Sequence, residues 1–170
     1  DILLQNAEHN LYQSDEKATI QNAVSVADMK MELFKIEQYV EMALNYLRVE
    51  DISSDLSFKK CAVDDMVRQA VRKYAKVFIS KKIQVDFKPT NVYTVTDEKW
   101  FVFVLEQLLS NSLKYTKEGK ISIFMEGKAL IIEDTGIGIP AEDLPRIFEK
   151  GFTGYNGRED KKSTGIGLYL

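Results

Sequence analysis

Asp134 stands where a strand runs out into a turn. The stretch IIEDTGIGIP, Ile131 to Pro140, ends an apolar run on that carboxylate, follows it with Gly136 and Gly138, and closes on Pro140. A carboxylate at the end of a buried strand is costly unless water or hydrogen-bond donors reach it. The two glycines strip Cβ atoms from the turn, so a flat molecule can approach the backbone and positive φ is open. An acceptor on the floor of such a slot suits a planar base with an exocyclic amine, for which adenine is the obvious candidate. Taken alone, the unit reads equally well as a plain tight turn between strand and helix.

Two further groups bear on that choice. In VLEQLLSNSLKYT, Gln107, Asn111 and Lys114 or Tyr115 recur at helical spacing and share a face, while Leu105, Leu108, Leu109 and Ser112 fall largely elsewhere and the leucines read as core. A carboxamide pair one turn apart can offer two neutral oxygens to a hard cation such as Mg²⁺, which takes its other ligands from phosphate and water. Lys114, one turn on, can meet phosphate charge. A solvated polar stripe would look the same. In STGIGLYL, Thr164, Gly165 and Gly167 precede an apolar run with helical potential. Free N–H groups at a glycine turn that opens a helix make an anion site. Between the glycine pairs runs GFTGYNGREDKKS, with three glycines and five charged residues in thirteen. A loop of this kind reads as a lid over a bound nucleotide or as a mobile surface loop. No G-x-x-x-x-G-K-[ST] occurs, and neither GIG unit continues as G-x-G-x-x-G.

The elements that must hold these groups follow from periodicity. Val26, Met29, Leu33, Ile36, Val40, Ala43 and Leu47 are spaced alternately three and four apart, a heptad seam without Gly or Pro. A shorter apolar stretch, Ile2 to Leu11, and the polar QSDEK precede it. The pattern predicts a helical hairpin over residues 1–50 whose seam needs a partner chain or a docked domain. A linker follows at 51–57. From Phe58 the pattern is mixed: FKKCAV as a strand, a helix capped by Asp64 or Asp65 with Met66, Val67, Ala70, Val71, Tyr74 and Phe78 on its apolar face, then IQVDF and VYTVT as strands. Asp97 caps a helix to about Lys114. ISIFM and ALIIE flank a hairpin turn, and AEDLPRIFEK reads as a short helix with Pro145 inside it. One mixed sheet covered on one face by helices is expected, an α+β two-layer sandwich over residues 58–170.

Composition narrows the classes. The 170 residues carry 45% hydrophobic content, enough for one full core. A net charge of −3 gives no basic field for nucleic acid. The single cysteine, Cys61, excludes an internal disulfide and fits a reducing compartment, as would a cysteine-poor secreted protein. The longest apolar runs fall short of the ~20 residues of a membrane span. The chain opens on Asp1 and stops at GLYL, which reads as a piece of a longer protein.

In this order, LLSNSLKYT, DTGIGIP, RIFEKGF and STGIGLYL resemble the N, G1, F and G2 boxes of bacterial sensor histidine kinases, within the superfamily of gyrase, Hsp90, histidine kinase and MutL ATPases. The helix ELFKIEQYVEMALNYLR and the SSDL linker resemble the kinases that sense peptide antibiotics alongside a transporter. The resemblance implies a Bergerat-type ATP-binding fold that uses ATP and Mg²⁺. Asn111 would ligate Mg²⁺, Lys114 would touch phosphate, and Tyr115 would line the base pocket. Asp134 would accept from the adenine amine, with Gly136 and Gly138 shaping the slot. Phe148 and Phe152 would sit at the lid base, while Thr164, Gly165 and Gly167 would close on the phosphates. The front helices resemble part of a dimerisation and phosphotransfer hairpin.

Two departures from the family pattern are visible. Gln107 stands where the family often has an Asn one turn before the Mg²⁺ ligand. The only histidine, His9 in AEHNLYQ, does not fit the phosphoacceptor motif and reads as a surface residue, which places the acceptor upstream of Asp1. The final strands of the sandwich would likewise lie beyond Leu170. The expected protein is therefore the catalytic portion of a histidine kinase. It would be homodimeric in its parent and would serve a response regulator from the cytoplasmic side of the bacterial plasma membrane, anchored through segments outside this chain. No dedicated nucleophile activator is evident, although Glu106, beside the ligand face, could assist an incoming histidine. Two alternatives have other predictions: an anti-sigma serine kinase of the same superfamily, which the heptad front disfavours, and a nucleotide-dead dimeric module, which the intact Asn111, Asp134 and glycine pairs disfavour.

Overall fold

The heptad stretch forms a helix. In the computed structural model, which describes residues 26, 28–47, 56–154 and 165–170, helix α1 covers 28–47, and residue 26 is helical too. The chain separates into two units, Asp1–Glu50 and Asp51–Leu170. Within the first, the seam residues Val26, Met29, Leu33, Ile36, Val40 and Leu47 are all exposed, Leu33 by 64%. A neighbouring stripe that includes Met31, Phe34, Gln38 and Met42 is half-buried. The first hairpin arm, Ile2 to Leu11, and His9 within it lie outside the described residues, as does most of the linker.

The second unit runs β1 (Phe58–Ala62), α2 (Val63–Lys73), α3 (Ala75–Lys81), β2 (Gln84–Phe87), β3 (Tyr93–Asp97), α4 (Glu98–Tyr115), β4 (Lys120–Glu126) and β5 (Ala129–Asp134), then a 3-10 turn at Leu144–Arg146. The expected α+β layering is present. The five strands fall into two ladders, where the sequence suggested one sheet. β1 pairs antiparallel with β3, from Phe58 opposite Asp97 to Ala62 opposite Tyr93. The second ladder has the order β2-β4-β5 and is mixed. β2 runs parallel to β4, and β4 antiparallel to β5. A parallel pair needs a long crossover. Here β3 and α4 supply it, which leaves β3 to pair with β1. The β4–β5 hairpin turns on Gly127, whose φ of 59° is what a primed two-residue turn requires.

The core lies between the helices and the mixed ladder. Met66, Val67 and Ala70 of α2, Leu105, Leu109 and Leu113 of α4, and Ile121 and Ile123 of β4 are buried. Helices α2 and α4 pack on each other. The apolar face expected to run unbroken to Phe78 is split at Tyr74, which joins α2 to α3, and Val71 is only half-buried. The segment around Pro145 is three residues of 3-10 helix, Leu144–Arg146, with the proline in its first turn, where a missing N–H is tolerated.

Two carboxylates hold the helices in place, one as a cap and one as a staple. Asp97 caps α4 as expected: Oδ1 accepts from Trp100 N at 3.0 Å, and Oδ2 accepts from Ser57 N at 2.8 Å. The other expected cap differs. Ala62 occupies the N-cap of α2 with no side-chain bond. Asp64 is instead buried in the first turn, where it accepts from Thr90 N at 2.8 Å, Thr90 Oγ1 at 2.6 Å and Asn91 N at 3.2 Å. It thereby staples the β2–β3 connection to α2. Burial pushes the Asp64 carboxyl up, but the Thr90 hydroxyl and the Thr90 and Asn91 amides outweigh it and hold the group below its ordinary value. The Ser57 amide, then that of Trp100, lowers Asp97 in the same way.

A depressed folded-state pKa stabilises the fold above the unfolded carboxylate value of about 3.9, and that contribution is lost as pH falls through the folded value. Asp64→Ala should cost about 2 kcal/mol at pH 7, because it orphans three donors. In urea unfolding, the gap between wild type and variant should narrow below about pH 4. A gap that stays constant down to pH 2 would remove the carboxylate from this role.

Candidate nucleotide-binding site

Helix α4 carries the polar face. Gln107, Asn111, Lys114 and Tyr115 are half-buried along it, whereas Leu105, Leu109, Ser112 and Leu113 are buried. Leu108, read from the sequence as core, is 36% exposed. At its C-terminal end a helix leaves carbonyls without intrahelical partners. Lys81 Nζ takes the Leu113 carbonyl, and Thr116 N donates to Ser112 O as the chain leaves the helix in extended conformation. The Tyr115 carbonyl accepts from Ile137 N at 3.2 Å, inside the GIG turn. The turn behind Asp134 is thus tied directly to the end of α4.

That contact explains Gly136. A Cβ there would lie 2.7 Å from Asp134 Oδ1, 2.7 Å from the Tyr115 carbonyl and 3.0 Å from Thr116 Oγ1. Gly136 N donates to Asp134 Oδ1 at 2.9 Å and orients the carboxylate. Gly138 is needed for a different reason: its φ is 70°, with open space where a side chain would project. Thr135 anchors the other side of the turn. Its amide donates to Lys120 O at 3.2 Å, and its hydroxyl accepts from Lys120 N at 3.1 Å.

The second glycine turn meets the same helix further up. A Cβ on Gly167 would lie 2.9 Å from Gln107 Oε1. Gly165, with φ 66°, is tied to the far segment: Gly151 N donates to Gly165 O at 3.0 Å, and a Cβ on Gly165 would lie 2.7 Å from Phe152 O. The Arg146 guanidinium sits 4.4 Å from the Phe152 ring centroid and is held by Glu149 at 2.9 Å. Phe148, by contrast, stands 66% exposed. Lys114 Nζ lies 5.2 Å from the Tyr115 ring centroid. Thr164 lies outside the described residues, as does the loop from residue 155.

Glu106 does not stand free beside this face. Its carboxylate pairs with Lys73 of α2 at 2.7 Å, and its side chain is 12% exposed. Sequence spacing gave no sign of Lys73, which lies 33 residues away. Thr116 was missed as well. It is buried, its hydroxyl has no protein partner, and it follows the Lys-Tyr pair without any periodic mark. Among the described residues, no three His, Cys, Asp or Glu side chains gather as a metal site. A cation here would draw on carboxamides, phosphate and water.

The two glycines of the first turn should respond differently to alanine. Gly136→Ala forces overpacking against three oxygens and should cost about 3 kcal/mol. Gly138→Ala meets only the left-handed backbone penalty, about 1 kcal/mol. Thermal unfolding of both variants checks the order, and equal losses would mean that the turn does not press on α4.

Residues 96–170 match the family model described as "Histidine kinase-, DNA gyrase B-, and HSP90-like ATPase". Over 148 residues the chain is 32% identical to Sensor protein BceS of Bacillus subtilis, an alignment that covers 85% of this chain and 44% of that protein. It is 36% identical over 142 residues to Sensor protein kinase GraS of Staphylococcus aureus, with 80% of this chain and 41% of that protein covered. The chain spans less than half the length of these curated relatives. Among solved structures, the catalytic domain of histidine kinase ThkA superposes with a TM-score of 0.57 at 23% identity, over 66% of this chain and 77% of that one, a likeness of fold. The tie between the glycine turn and α4, the ordered boxes and these relatives agree: residues 96–170 match the histidine kinase-, DNA gyrase B- and HSP90-like ATPase model, and the chain is similar to sensor histidine kinases over most of its length.

Proposed function

We propose that this chain is the ATP-binding catalytic portion of a sensor histidine kinase, which passes the γ-phosphoryl group of ATP to a histidine and thence to a response regulator. The observation that carries this reading is the docking of the Asp134–Gly136 turn onto the end of α4. It brings a carboxylate acceptor and a bare backbone beside Tyr115, on the helix that also bears Gln107, Asn111 and Lys114. Adenine fits this site chemically: the Asp134 carboxylate would accept from its amine, Tyr115 would line the base, and Gly136 and Gly138 would leave room for the ring. Asn111, with Gln107 beside it, would hold Mg²⁺, and Lys114 would meet phosphate. Bound Mg²⁺ would neutralise phosphate charge and fix its orientation. Thr164, Gly165 and Gly167 would supply donors to phosphate oxygens, and Phe148 and Phe152 would form the base of a lid.

Phosphoryl transfer through a loose transition state asks the protein chiefly for positioning and charge neutralisation. The α4 face supplies that with neutral and basic groups. Glu106, bound to Lys73, has a structural place in this scheme, as the link between α2 and α4. The histidine acceptor lies outside this chain. The exposed α1 seam supports homodimerisation of the parent. No described helix is long and apolar enough to cross a membrane, so anchoring at the cytoplasmic face would fall to other segments. Similarity to BceS supports the peptide-antibiotic-sensing subgroup.

Calorimetry with Mg·ATP tests the site. Wild type should bind with a preference for adenine, and Asp134→Asn should weaken binding by more than about tenfold, since one charge-assisted hydrogen bond is lost and an amide donor faces the amine. Unchanged affinity in a folded variant would refute the slot. For the seam, Leu33→Glu should shift the chain toward monomer in sedimentation velocity. A wild type that is monomeric at every concentration would refute dimerisation through this segment.

A further inference from the structure

We propose that Thr116 is a positioning residue for base recognition: its hydroxyl donates to the Asp134 carboxylate in the liganded site and sets the preference for a base that bears an amine. The inference rests on the nucleotide-binding reading above and adds a residue to it. Thr116 is 0% exposed, and its Oγ1 has no hydrogen-bond partner in the protein. A buried hydroxyl left unpaired is penalised, so one that persists calls for a reason. Its surroundings supply one. Thr116 Oγ1, Asp134 Oδ1 and the Tyr115 carbonyl all lie within 3.0 Å of the point where Gly136 would carry a Cβ. A carboxylate and a carbonyl can only accept, so the hydroxyl holds the one proton among the three oxygens. The carbonyl accepts from Ile137 N and is neutral, the weaker acceptor of the two. The carboxylate is charged and accepts one bond on Oδ1 from Gly136 N, with capacity to spare. It is the stronger of the two acceptors in this cluster for the hydroxyl proton.

With Gly136 N–H on one side and Thr116 O–H on the other, the carboxylate is fixed from behind. Its remaining lone pairs face outward and can only accept. An amine satisfies them, whereas a keto oxygen in the same place meets only repulsion. Thr116 therefore acts through Asp134 and does not need to touch the base.

The test compares Thr116→Val, Thr116→Ser and Thr116→Ala in the full chain, with Mg·ATP and Mg·GTP affinity and melting temperature as readouts. Valine keeps the shape and removes the proton. It should weaken ATP binding about tenfold, the effect of one hydrogen bond to a charged group. The ATP-over-GTP ratio should narrow, and the melting temperature should be unchanged or higher, since no protein bond is lost. Serine should bind within about twofold of wild type, because its donor is retained. Serine and alanine share the loss of the methyl, so their difference isolates the hydroxyl even if the valine variant fails to fold. Equal affinity for serine and alanine would overturn the proposal, as would a loss of affinity that tracks a fall in melting temperature. If the wild type binds no adenine nucleotide, the site reading itself fails, and that outcome is distinct from either of these.

Discussion

The backbone of the Asp134 turn can reach the end of α4 only because Gly136 has no side chain. Three oxygens crowd the space that a Cβ would fill, and one of them is the helix-terminal carbonyl that Ile137 N closes. Much of the site's geometry follows from this approach. It sets the carboxylate beside Tyr115 and brings strand β5 and helix α4 together. It also gives the last turn of the helix a hydrogen-bond partner that its own backbone cannot provide. Gly138, two residues on, is required by its backbone angle. The GIG unit therefore holds two glycines for two separate physical reasons, space at the first and φ at the second.

The approach works because both partners are held from behind. Strand β5 is registered against β4, with Ile121 opposite Asp134, and Thr135 lashes the turn to Lys120. Helix α4 is capped by Asp97, which also accepts from Ser57, so one carboxylate fixes the helix start and the entry to β1. Lys73 and Glu106 join α2 to α4, and Asp64 joins α2 to the β2–β3 connection. These polar ties cross between elements at points where apolar packing alone would allow sliding. They are satisfied locally, which keeps their desolvation cost small.

How much of this was legible depended on range. Asp97 could be read as a cap because its partner lies three residues away, and the hairpin at Gly127 because its chemistry is local. The turn behind Asp134 was legible for the same reason: Asp134, Gly136 and Gly138 fall within five residues. Asp64 resembled a cap by every local rule, yet its donors sit 26 and 27 residues on, and a buried triple bond outcompetes one to the first turn of its own helix. The split into two ladders was hidden because periodicity reports strands and not their neighbours. Pro145 was read as lying inside a helix, whereas it sits in the first turn of a three-residue 3-10 segment. Thr116 carried no pattern at all. Its place emerges only once the Gly136 turn is seen lying against it.

The charge on α4 completes the picture. A face that is to hold a polyphosphate cannot also present an uncompensated acid. Glu106 is the acid nearest that face in sequence, and Lys73 neutralises it from another helix in a partly buried pair. What remains along the face is Gln107, Asn111 and Lys114, neutral or basic throughout. Asp134, the acid that stays available, lies at the far end of the same surface, where a base amine and not a phosphate would be met. In the proposed site the carboxylate would serve the base end, and the carboxamides of Gln107 and Asn111 would serve a cation further along the helix. This division would orient a nucleotide bound there. Such an orientation is what a positioning catalyst needs, because it would present the terminal phosphoryl group at one fixed place.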